Sequence, residues 1–203
     1  MKKLLLILLC LPMIGFGQNV NIPDANFKAY LVGNILINTN GDAEIQVSEA
    51  TVFNGSIISY NMNIADLTGI EEFSSLTFLN CGYNQLTSLD VTQNTALTHL
   101  NCGYNQLTSL DVTQNTALTH LNCWDNQLTS LDVTLNTNLT TLYCNSNQLT
   151  SLDVSQNTAL TYLDCSGNLL SNLDVSANTA LTTLYCNDNL ISCLDVSVNL
   201  ALT

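Results

Sequence analysis

The chain has 203 residues, with three Lys or Arg side chains against sixteen acidic ones and a formal net charge of −13. Lys and Arg supply the phosphate contacts of nucleic-acid complexes, so a chain this acidic is not expected to bind DNA or RNA. The same imbalance argues against an anionic membrane surface.

The first segment, residues 1–17, has the composition of a secretory signal peptide. It reads MKKLLLILLCLPMIGFG, in which two lysines precede an apolar run and small residues follow. The apolar run is shorter than a membrane-spanning helix requires and no other stretch comes close, so no transmembrane segment is predicted. We expect cleavage before Gln18 and a mature protein that is secreted or held at the cell surface.

Residues 18–56 do not follow the pattern of the rest of the chain and are predicted to form an N-terminal cap. The stretch IPDANFKAYLV places Phe27, Tyr30 and Leu31 on one face of a helix, with Pro23 at the entrance of that helix. We expect this helix to cover the open apolar edge of the unit that follows it.

The cap continues with NTNGDAEIQVSE, whose polar residues follow the spacing D-x-[DN]-x-[DN]-G-x5-E. This segment resembles an EF-hand or dockerin-type Ca²⁺ loop, with Ile45 at the central apolar position. The resemblance implies six ligands, namely Asn38, Asn40, Asp42, the backbone carbonyl of Glu44, Gln46 and Glu49. However, Asn38 replaces the usual Asp, and Ala43 replaces the Gly that allows the sharp turn. Weak Ca²⁺ binding and a cap turn that holds no metal are both retained as interpretations.

Residues 57–203 form a tandem repeat that becomes regular at Leu76. Six copies of LTxLxCxxNQLTSLDVTxNTA follow one another with a period of twenty-one residues. Both halves of each copy have the form LxxLxΦxxN, where Φ is apolar, and each half predicts a short strand followed by a turn at the Asn. Two strands and two turns make one coil. The coils are expected to stack, because one coil cannot bury its own apolar edge.

This pattern resembles the leucine-rich repeat family, whose signature is LxxLxLxxNxL, and more narrowly an irregular bacterial subclass with units of the form LxxLxCxxNxLxxLDVxxN. The resemblance is strong over residues 76–203 and weak over residues 57–75. It implies a repeat solenoid that is used for binding and not for catalysis. The second half of each copy is too short for the helix usual in the family. We therefore expect a mostly β solenoid with short parallel strands on both sides and a small helical N-terminal cap.

A cysteine occupies the inner strand position of every first half, where the second half carries Val. Stacked thiols have parallel Cβ vectors about one strand spacing apart, which does not suit a disulfide, and a straight file cannot surround a zinc ion. We therefore expect buried packing for this column, which consists of Cys81, Cys102, Cys123, Cys144, Cys165 and Cys186. Cys193 replaces an outward Ser and is expected to be exposed.

The two halves of the repeat differ in the residues that they turn outward. The outward positions of the second halves, the second-half face, carry Thr, Ser and Asp with little change between copies. The outward positions of the first halves, the first-half face, carry both histidines and every aromatic residue from Leu76 onward. Aromatic side chains give a large contact area at low entropic cost, which suits recognition. The candidate partner-binding residues are His99, His120, Trp124, Tyr143, Tyr162 and Tyr185.

These features predict a secreted binding module that presents its first-half face to a protein or a glycan. The alternatives are an ice-binding surface, or a purely structural or adhesion repeat whose aromatic residues reflect drift at tolerant positions. The Asp in the middle of each SLDVT argues against ice binding. His99 and His120 supply only half of a metal site, and no catalytic constellation is present, so no enzyme is predicted. The chain stops at LALT without a polar cap, which predicts end-to-end self-association or a longer parent chain.

One acidic column on the second-half face raises a question of charge. It consists of Asp90, Asp111, Asp132, Asp153, Asp174 and Asp195. Neighbours about 4.8 Å apart repel each other. Crowded carboxylates have raised pKa values, so mild acidification towards about pH 5 is expected to stabilise the repeats unless hydroxyl hydrogen bonds satisfy the column.

Overall fold

The structure, a computed structural model, describes residues 17–203. The signal peptide expected at residues 1–17 lies outside this range apart from Gly17. From residue 17 onward, no helix has the length and hydropathy needed to cross a membrane. The elements, in chain order, are α1 (Ala25–Gly33), α2 (Val47–Val52), β1 (Ser56–Ile58), a 3₁₀ turn (Ile70–Glu72), β2 (Phe78–Asn80), β3 (His99–Asn101), β4 (His120–Asn122), β5 (Thr141–Tyr143), β6 (Tyr162–Asp164) and β7 (Thr183–Tyr185).

The N-terminal cap is fixed to the first coil through its first helix. Asp24 caps α1, because its Oδ1 accepts the backbone N–H groups of Asn26 and Phe27, both at 2.9 Å. The other oxygen of the same carboxylate accepts the backbone N–H of Ala65, also at 2.9 Å. Phe27 and Leu31 are fully buried and belong to the same apolar core as the coils. The helix expected to cover the first coil is therefore present.

The seven strands form one parallel sheet whose strand order follows the chain. The register advances by one repeat per strand, so that Leu79 pairs with Leu100 and Leu100 with Leu121. Side chains alternate along a strand, so the central Leu points into the core and its two neighbours point to the first-half face. This sheet confirms the expected repeat solenoid.

The second halves do not form the expected second sheet. On that side of residues 17–203, the pairing consists of one isolated parallel bridge between Asp90 and Asp111. The reason is local, because the backbone N–H of Thr113 donates to Oδ1 of Asp111 in its own coil at 2.9 Å. At the turn that leads into this second half, Gln106 donates its N–H to a neighbouring carbonyl, that of Leu86, at 2.8 Å. The expectation of strands on both sides was therefore wrong.

The interior confirms that the cysteine column is packing. The five thiols from Cys81 to Cys165 are 0% exposed, and all are free. Cys186 is half-buried in the last full coil, and Cys193 is exposed as expected. Burial raises the pKa of Cys102 to about 12 and, together with its neighbour Cys186, raises that of Cys165 to about 12. The buried thiols are therefore protonated and apolar in character at neutral pH.

The Asn that ends each first half bonds fully to the backbone around it. In Asn126, Nδ2 donates to the carbonyls of Cys102 and Cys123, both at 3.1 Å. Its Oδ1 accepts the N–H of Leu107 at 3.0 Å. Because Cys102 and Leu107 belong to the preceding coil, this side chain joins two coils. The Asn turns expected from the sequence have the structural use assigned to them.

The Asn that ends each second half is satisfied at only one end. In Asn136, Nδ2 donates to the carbonyls of Val112 and Asn115, both at 2.9 Å. Its Oδ1 is buried and accepts no hydrogen bond from any residue between 17 and 203. The same holds in every copy, at Asn94, Asn115, Asn136, Asn157, Asn178 and Asn199. The second-half turns are thus held by fewer hydrogen bonds than the first-half turns.

Candidate functional site

The first-half face brings the aromatic side chains together in three groups. Because the strands are in register, outward residues at equivalent positions lie beside one another along the sheet. We call these groups the histidine stack (Phe78, His99, His120), the tryptophan cluster (Tyr60, Tyr83, Tyr104, Trp124) and the tyrosine cluster (Tyr143, Tyr162, Tyr185). All six candidate partner-binding residues fall into one of them.

In the histidine stack, the rings of His99 and His120 are nearly parallel, with centroids 4.3 Å apart and planes 11° apart. The hydroxyl oxygen of Thr98 lies 3.0 Å from the carbonyl oxygen of Thr77 and 2.9 Å from Nδ1 of His99. Nδ1 of His99 and the Thr98 hydroxyl therefore share a hydrogen bond whose direction is set by the tautomer of the imidazole ring. Partial burial, followed by the neighbouring His120, lowers the pKa of His99.

The histidine stack borders a shallow groove of about 170 Å³ on the same face. Phe78, His99, His120 and Tyr143 are among the residues that line it. The two histidines have no third metal ligand nearby, because residues 17–203 contain no group of three or more His, Cys, Asp or Glu placed to hold a metal ion. The groove is thus apolar with imidazole edges.

In the tryptophan cluster, Tyr83 and Tyr104 stack with centroids 4.4 Å apart and planes 11° apart. Trp124 lies 5.8 Å from each ring, centroid to centroid. The indole occupies space that Gly103 leaves, since a Cβ on that glycine would collide with the indole ring. Both tyrosines have φ of 55°, a left-handed conformation that costs a bulky residue roughly 1–2 kcal/mol. The backbone strain therefore lies at the same turns that place the rings of Tyr83 and Tyr104 beside Trp124.

The tyrosine cluster covers strands β5 to β7. The ring centroids of Tyr143 and Tyr162 are 4.7 Å apart, and those of Tyr162 and Tyr185 are 5.9 Å apart. Burial, followed by the neighbouring Tyr143, raises the pKa of Tyr162 to about 12, so its phenol keeps its proton at neutral pH. Tyr185 is 49% exposed, so the cluster is open to solvent at this end.

The second-half face carries satisfied aspartates and not destabilised ones. In Asp132, the hydroxyl of Thr134 donates to Oδ1 at 2.6 Å and the N–H of the same residue donates at 2.9 Å. These hydrogen bonds lower the pKa of Asp132, and they outweigh the repulsion from Asp111. Asp111, Asp153, Asp174 and Asp195 also have lowered pKa values through the Thr or Ser two residues on. The expected rise in pKa was therefore wrong, and a gain in stability on mild acidification is no longer expected.

The loop that resembles a Ca²⁺ site does bring several proposed ligands together. The Asn40 amide nitrogen lies 3.1 Å from Oδ2 of Asp42 and 2.5 Å from the side-chain oxygen of Gln46. The Gln46 amide nitrogen in turn donates to Oδ2 of Asp42 at 3.0 Å. The side chain of Glu44 pairs instead with Lys28 at 2.7 Å, which leaves its backbone carbonyl for the assigned role.

The remaining proposed ligands of this loop are engaged with the backbone. Glu49 is 8% exposed, and its Oε1 accepts the N–H and hydroxyl of Thr39 at 2.8 and 2.9 Å. Burial tends to raise the pKa of Glu49, but these bonds and that from Gln46 outweigh it, so its pKa is lowered. Asn38 donates to the carbonyls of Val32 and Asp42. The left-handed turn falls at Gly41, which has a φ of 72°. Ca²⁺ loops have this turn at the position that Ala43 occupies here.

The family model for tandem leucine-rich repeats, described as Leucine Rich repeats (2 copies), matches residues 74–115, 116–157 and 137–178. These matches extend over more than half of the chain. The chain belongs to the leucine-rich repeat family.

This leucine-rich repeat protein is similar to internalin J of Listeria monocytogenes, with 48% identity over 84 residues, which cover 40% of this chain and 9% of internalin J. The solved functional domain of internalin J, which includes a cysteine ladder, is 32% identical, with 92% of this chain and 56% of that chain covered and a TM-score of 0.46. A leucine-rich repeat protein of Leptospira interrogans is 26% identical, covers 73% of this chain and 41% of its own, and has a TM-score of 0.65.

Internalin C2 of Listeria monocytogenes has the same fold, with 21% identity, a TM-score of 0.71, and coverage of 91% of this chain and 86% of its own. In the comparison with internalin J, this leucine-rich repeat protein spans only 9% of the length of its relative.

Three members of the tryptophan cluster, Tyr60, Tyr83 and Tyr104, were not among the candidate residues, and for Tyr83 and Tyr104 the sequence held a signal. The signal lay in the comparison of one repeat with another. At the same turn position the other regular copies have Asp125, Ser146, Gly167 and Asp188, which are small or polar residues suited to a left-handed backbone. A tyrosine there goes against backbone preference, which marks it as a candidate for function.

Proposed function

We propose that this leucine-rich repeat protein is an exported binding module whose first-half face holds a protein partner. The observation that supports the proposal most is the arrangement of its aromatic and imidazole rings, which touch one another along a single face of a rigid sheet. Tyr104 and Tyr185 are each 49% exposed, so the outermost rings reach solvent. Exposed aromatic residues on a rigid support are the usual anchors of protein interfaces. No enzymatic activity is part of this proposal.

A protein is favoured over a glycan by the orientation of the rings. Sugars pack on the open faces of aromatic rings. The faces of Tyr83 and Tyr104 are turned towards each other at 4.4 Å, and those of His99 and His120 at 4.3 Å. The edges that remain, with hydroxyl and imidazole groups, suit the mixed polar and apolar surface of a protein partner.

Ice binding, the other alternative, is disfavoured by the second-half face. The Thr columns there are interrupted in every coil by an exposed carboxylate, such as that of Asp132, whose pKa is lowered by Thr134. This column is therefore ionised at neutral pH, and a row of hydrated charges does not match an ice lattice.

The experiment is a protein array of extracellular and cell-surface proteins, probed with the labelled chain. The test variant carries Tyr83→Ser, Tyr104→Ser and Trp124→Asn, because Ser146 and Asn145 occupy the same positions in another coil and the fold accepts them. We expect binding to fall at least about tenfold, as for the loss of central aromatic anchors.

The matched control replaces three residues of the second-half face, Ser88→Ala, Ser109→Ala and Ser130→Ala. We expect it to bind as the unchanged protein does. Equal loss for both variants, or no loss for either, contradicts the assignment of the first-half face. A glycan array run with the same three proteins decides between partner classes, since binding there that depends on the tryptophan cluster overturns the choice of a protein.

We also propose that the loop at residues 38–49 binds Ca²⁺ weakly, and the supporting observation is the convergence of Asn40, Asp42 and Gln46. When bound, the cation would supply charge that holds this part of the cap together. The ligands would be the side-chain oxygens of Asn38, Asn40, Asp42, Gln46 and Glu49 and the carbonyl of Glu44. Glu49 would exchange its bonds to the backbone for the cation.

Titration calorimetry with CaCl₂ tests the loop. Glu49→Gln removes the closing carboxylate and is expected to abolish the heat of binding. Glu44→Gln is the matched control, because this side chain pairs with Lys28 and contributes only its carbonyl. The proposal fails if the unchanged protein releases no heat, or if Glu49→Gln releases the same heat.

A further inference from the structure

The tyrosine cluster encloses a carboxylate. In the sheet register, Asp164 of β6 lies between Tyr143 of β5 and Tyr185 of β7, its direct partners on the two sides. Tyr162 precedes it by two residues on the same strand and therefore projects from the same face. The centroid of the Tyr162 ring lies 4.7 Å from that of Tyr143 and 5.9 Å from that of Tyr185. One half-buried carboxylate is thus bordered by three phenol rings.

Among residues 17–203, one oxygen of the Asp164 carboxylate accepts no hydrogen bond, and no basic side chain pairs with it. Its Oδ1 accepts the N–H and the hydroxyl of Ser166, at 3.1 and 2.6 Å. Its Oδ2 accepts no hydrogen bond from the described residues. From residue 17 onward, Lys28 is the only basic residue, and it is bonded to Glu44 in the cap. The negative charge of Asp164 is therefore unbalanced within residues 17–203.

The acid is not needed for the turn in which it sits. The same position in earlier coils is Asn80, Asn101 and Asn122, and each side-chain oxygen there accepts the N–H two residues on, at 3.0–3.2 Å. The neutral amide thus performs the structural role that Oδ1 performs in Asp164. The charge is an addition, made at the one coil where tyrosines border this position on three sides.

We infer that the tyrosine cluster and Asp164 together seat an arginine side chain of the protein partner. A guanidinium ion is planar and stacks on phenol rings, and its N–H groups also donate charge-assisted hydrogen bonds to a carboxylate oxygen, here Oδ2 of Asp164. A lysine ammonium satisfies the charge but has no plane to stack. The inference rests on the proposed function, since it specifies the partner of the first-half face.

A second copy of this chain is not the occupant. The sequence contains three Lys and no Arg, and two of the lysines precede residue 17. None of these 203 residues can therefore supply the guanidinium group. The strong overall negative charge of −13 favours the approach of a basic protein surface, because it steers cationic partners towards the molecule.

The experiment uses Nα-acetyl-argininamide as the probe and the ring resonances of Tyr143, Tyr162 and Tyr185 in NMR spectra as the readout. Nα-acetyl-citrullinamide, which has nearly the same shape and no charge, is the control ligand. We expect the arginine probe to shift these resonances in a saturable manner and the citrulline probe to leave them unchanged. Nα-acetyl-lysinamide is expected to bind several-fold more weakly than the arginine probe.

Two variants complete the design. Asp164→Asn installs the residue that other coils carry at this position, and it is expected to weaken binding of the arginine probe about tenfold, as for loss of a charge-assisted pair. Asp153→Asn, on the second-half face, removes the same charge elsewhere and is expected to change nothing. Equal shifts from the citrulline or lysine probe, or an unchanged affinity for Asp164→Asn, overturn the inference.

These outcomes are distinct from failure of the proposed function. A protein found on the array whose binding depends on the tryptophan cluster but is unchanged by Asp164→Asn leaves the proposed function standing and overturns the arginine seat. If no protein on the array binds but the arginine probe gives saturable shifts, the proposed function is overturned and the arginine seat stands.

Discussion

The two halves of each coil share one core and differ in how their backbone is satisfied. In the first half, N–H groups reach the next coil, as when Cys102 donates to the carbonyl of Asn122 at 2.8 Å. In the second half, side chains of the same coil take their place, as when Asp132 accepts the N–H of Thr134. Outward side chains therefore complete the backbone hydrogen bonds in the second half, whereas in the first half they do so only at the column of Asn80, Asn101, Asn122 and Asp164.

This difference explains the contrast in sequence between the two faces. A residue such as Asp132 cannot change freely, because the turn depends on its oxygen. A residue such as His120 leaves the ladder intact when it is replaced, as Thr141 at the same position shows. The first-half face is free to be shaped by a partner, whereas the uniform second-half face follows from backbone requirements.

The largest effect is expected at the thiols, which test how tightly the first half is packed. In native protein at about pH 8, we expect a bulky maleimide to modify Cys193 rapidly, Cys186 slowly and Cys102 at least about a thousandfold more slowly than Cys193. Burial excludes the reagent, and a pKa of about 12 lowers the thiolate fraction by about that factor.

Mass spectrometry of the labelled peptides measures these rates. In concentrated urea the three cysteines should react alike, which serves as the control. Native labelling of Cys102 as fast as Cys193 would show that the first half opens and that its face is not rigid.

The next effect compares the two asparagine columns. Asn126→Ala removes three or more hydrogen bonds and leaves the N–H of Leu107 buried without an acceptor, so we expect a loss of about 4 kcal/mol. Asn136→Ala removes two hydrogen bonds to carbonyls and also eliminates an oxygen that has no donor, so about 2 kcal/mol is expected. Urea unfolding measures both, and equal losses would contradict the difference between the halves.

The smallest effect concerns acid. Because the folded pKa values of Asp111, Asp132, Asp153, Asp174 and Asp195 are lowered, these aspartates stabilise the fold above the unfolded value of about 3.9, and this stabilisation is lost as the pH falls through the folded values. We expect no gain between about pH 7 and pH 5, and a decline below about pH 4.

Asp132→Asn isolates this column from the other carboxylates. Its urea midpoint should lie slightly below that of the unchanged protein at about pH 7, and the two should converge at about pH 3. A higher midpoint for Asp132→Asn at neutral pH would mean that repulsion along the column dominates after all.

The sequence predicted the features that depend on period. The solenoid and the buried cysteines follow from which positions recur at twenty-one residues and which of them are apolar, and the cap helix follows from the helical spacing of Phe27 and Leu31. Leu100 and Cys102 could be placed inside because a strand alternates its side chains. The same period and alternation were enough to predict that the aromatic residues lie on one face.

The features that were not predicted depend on individual hydrogen bonds and on one backbone angle. The missing second sheet follows from the N–H of Thr113, which bonds to Asp111 and not to a neighbouring strand. The lowered pKa of Asp132 follows from the hydroxyl of Thr134, and the strained turn at Tyr104 from a backbone angle. The first two have no periodic signal, because SLDVT is equally compatible with a strand and with a turn closed by its own side chains, whereas the turn at Tyr104 shows only as a departure from the other copies.

The asparagine contacts between coils also bear on how the chain folds. The bond from Asn126 to Cys102 closes a loop of 24 residues, and the bond from Leu107 to Asn126 closes one of 19. Equivalent bonds in other coils close loops of the same lengths, so each new coil meets the same entropic barrier however many precede it. During synthesis the cap emerges first, and every later coil emerges beside a neighbour that is already folded. We expect the time needed to fold to grow by equal steps with coil number, without a slow search for distant partners.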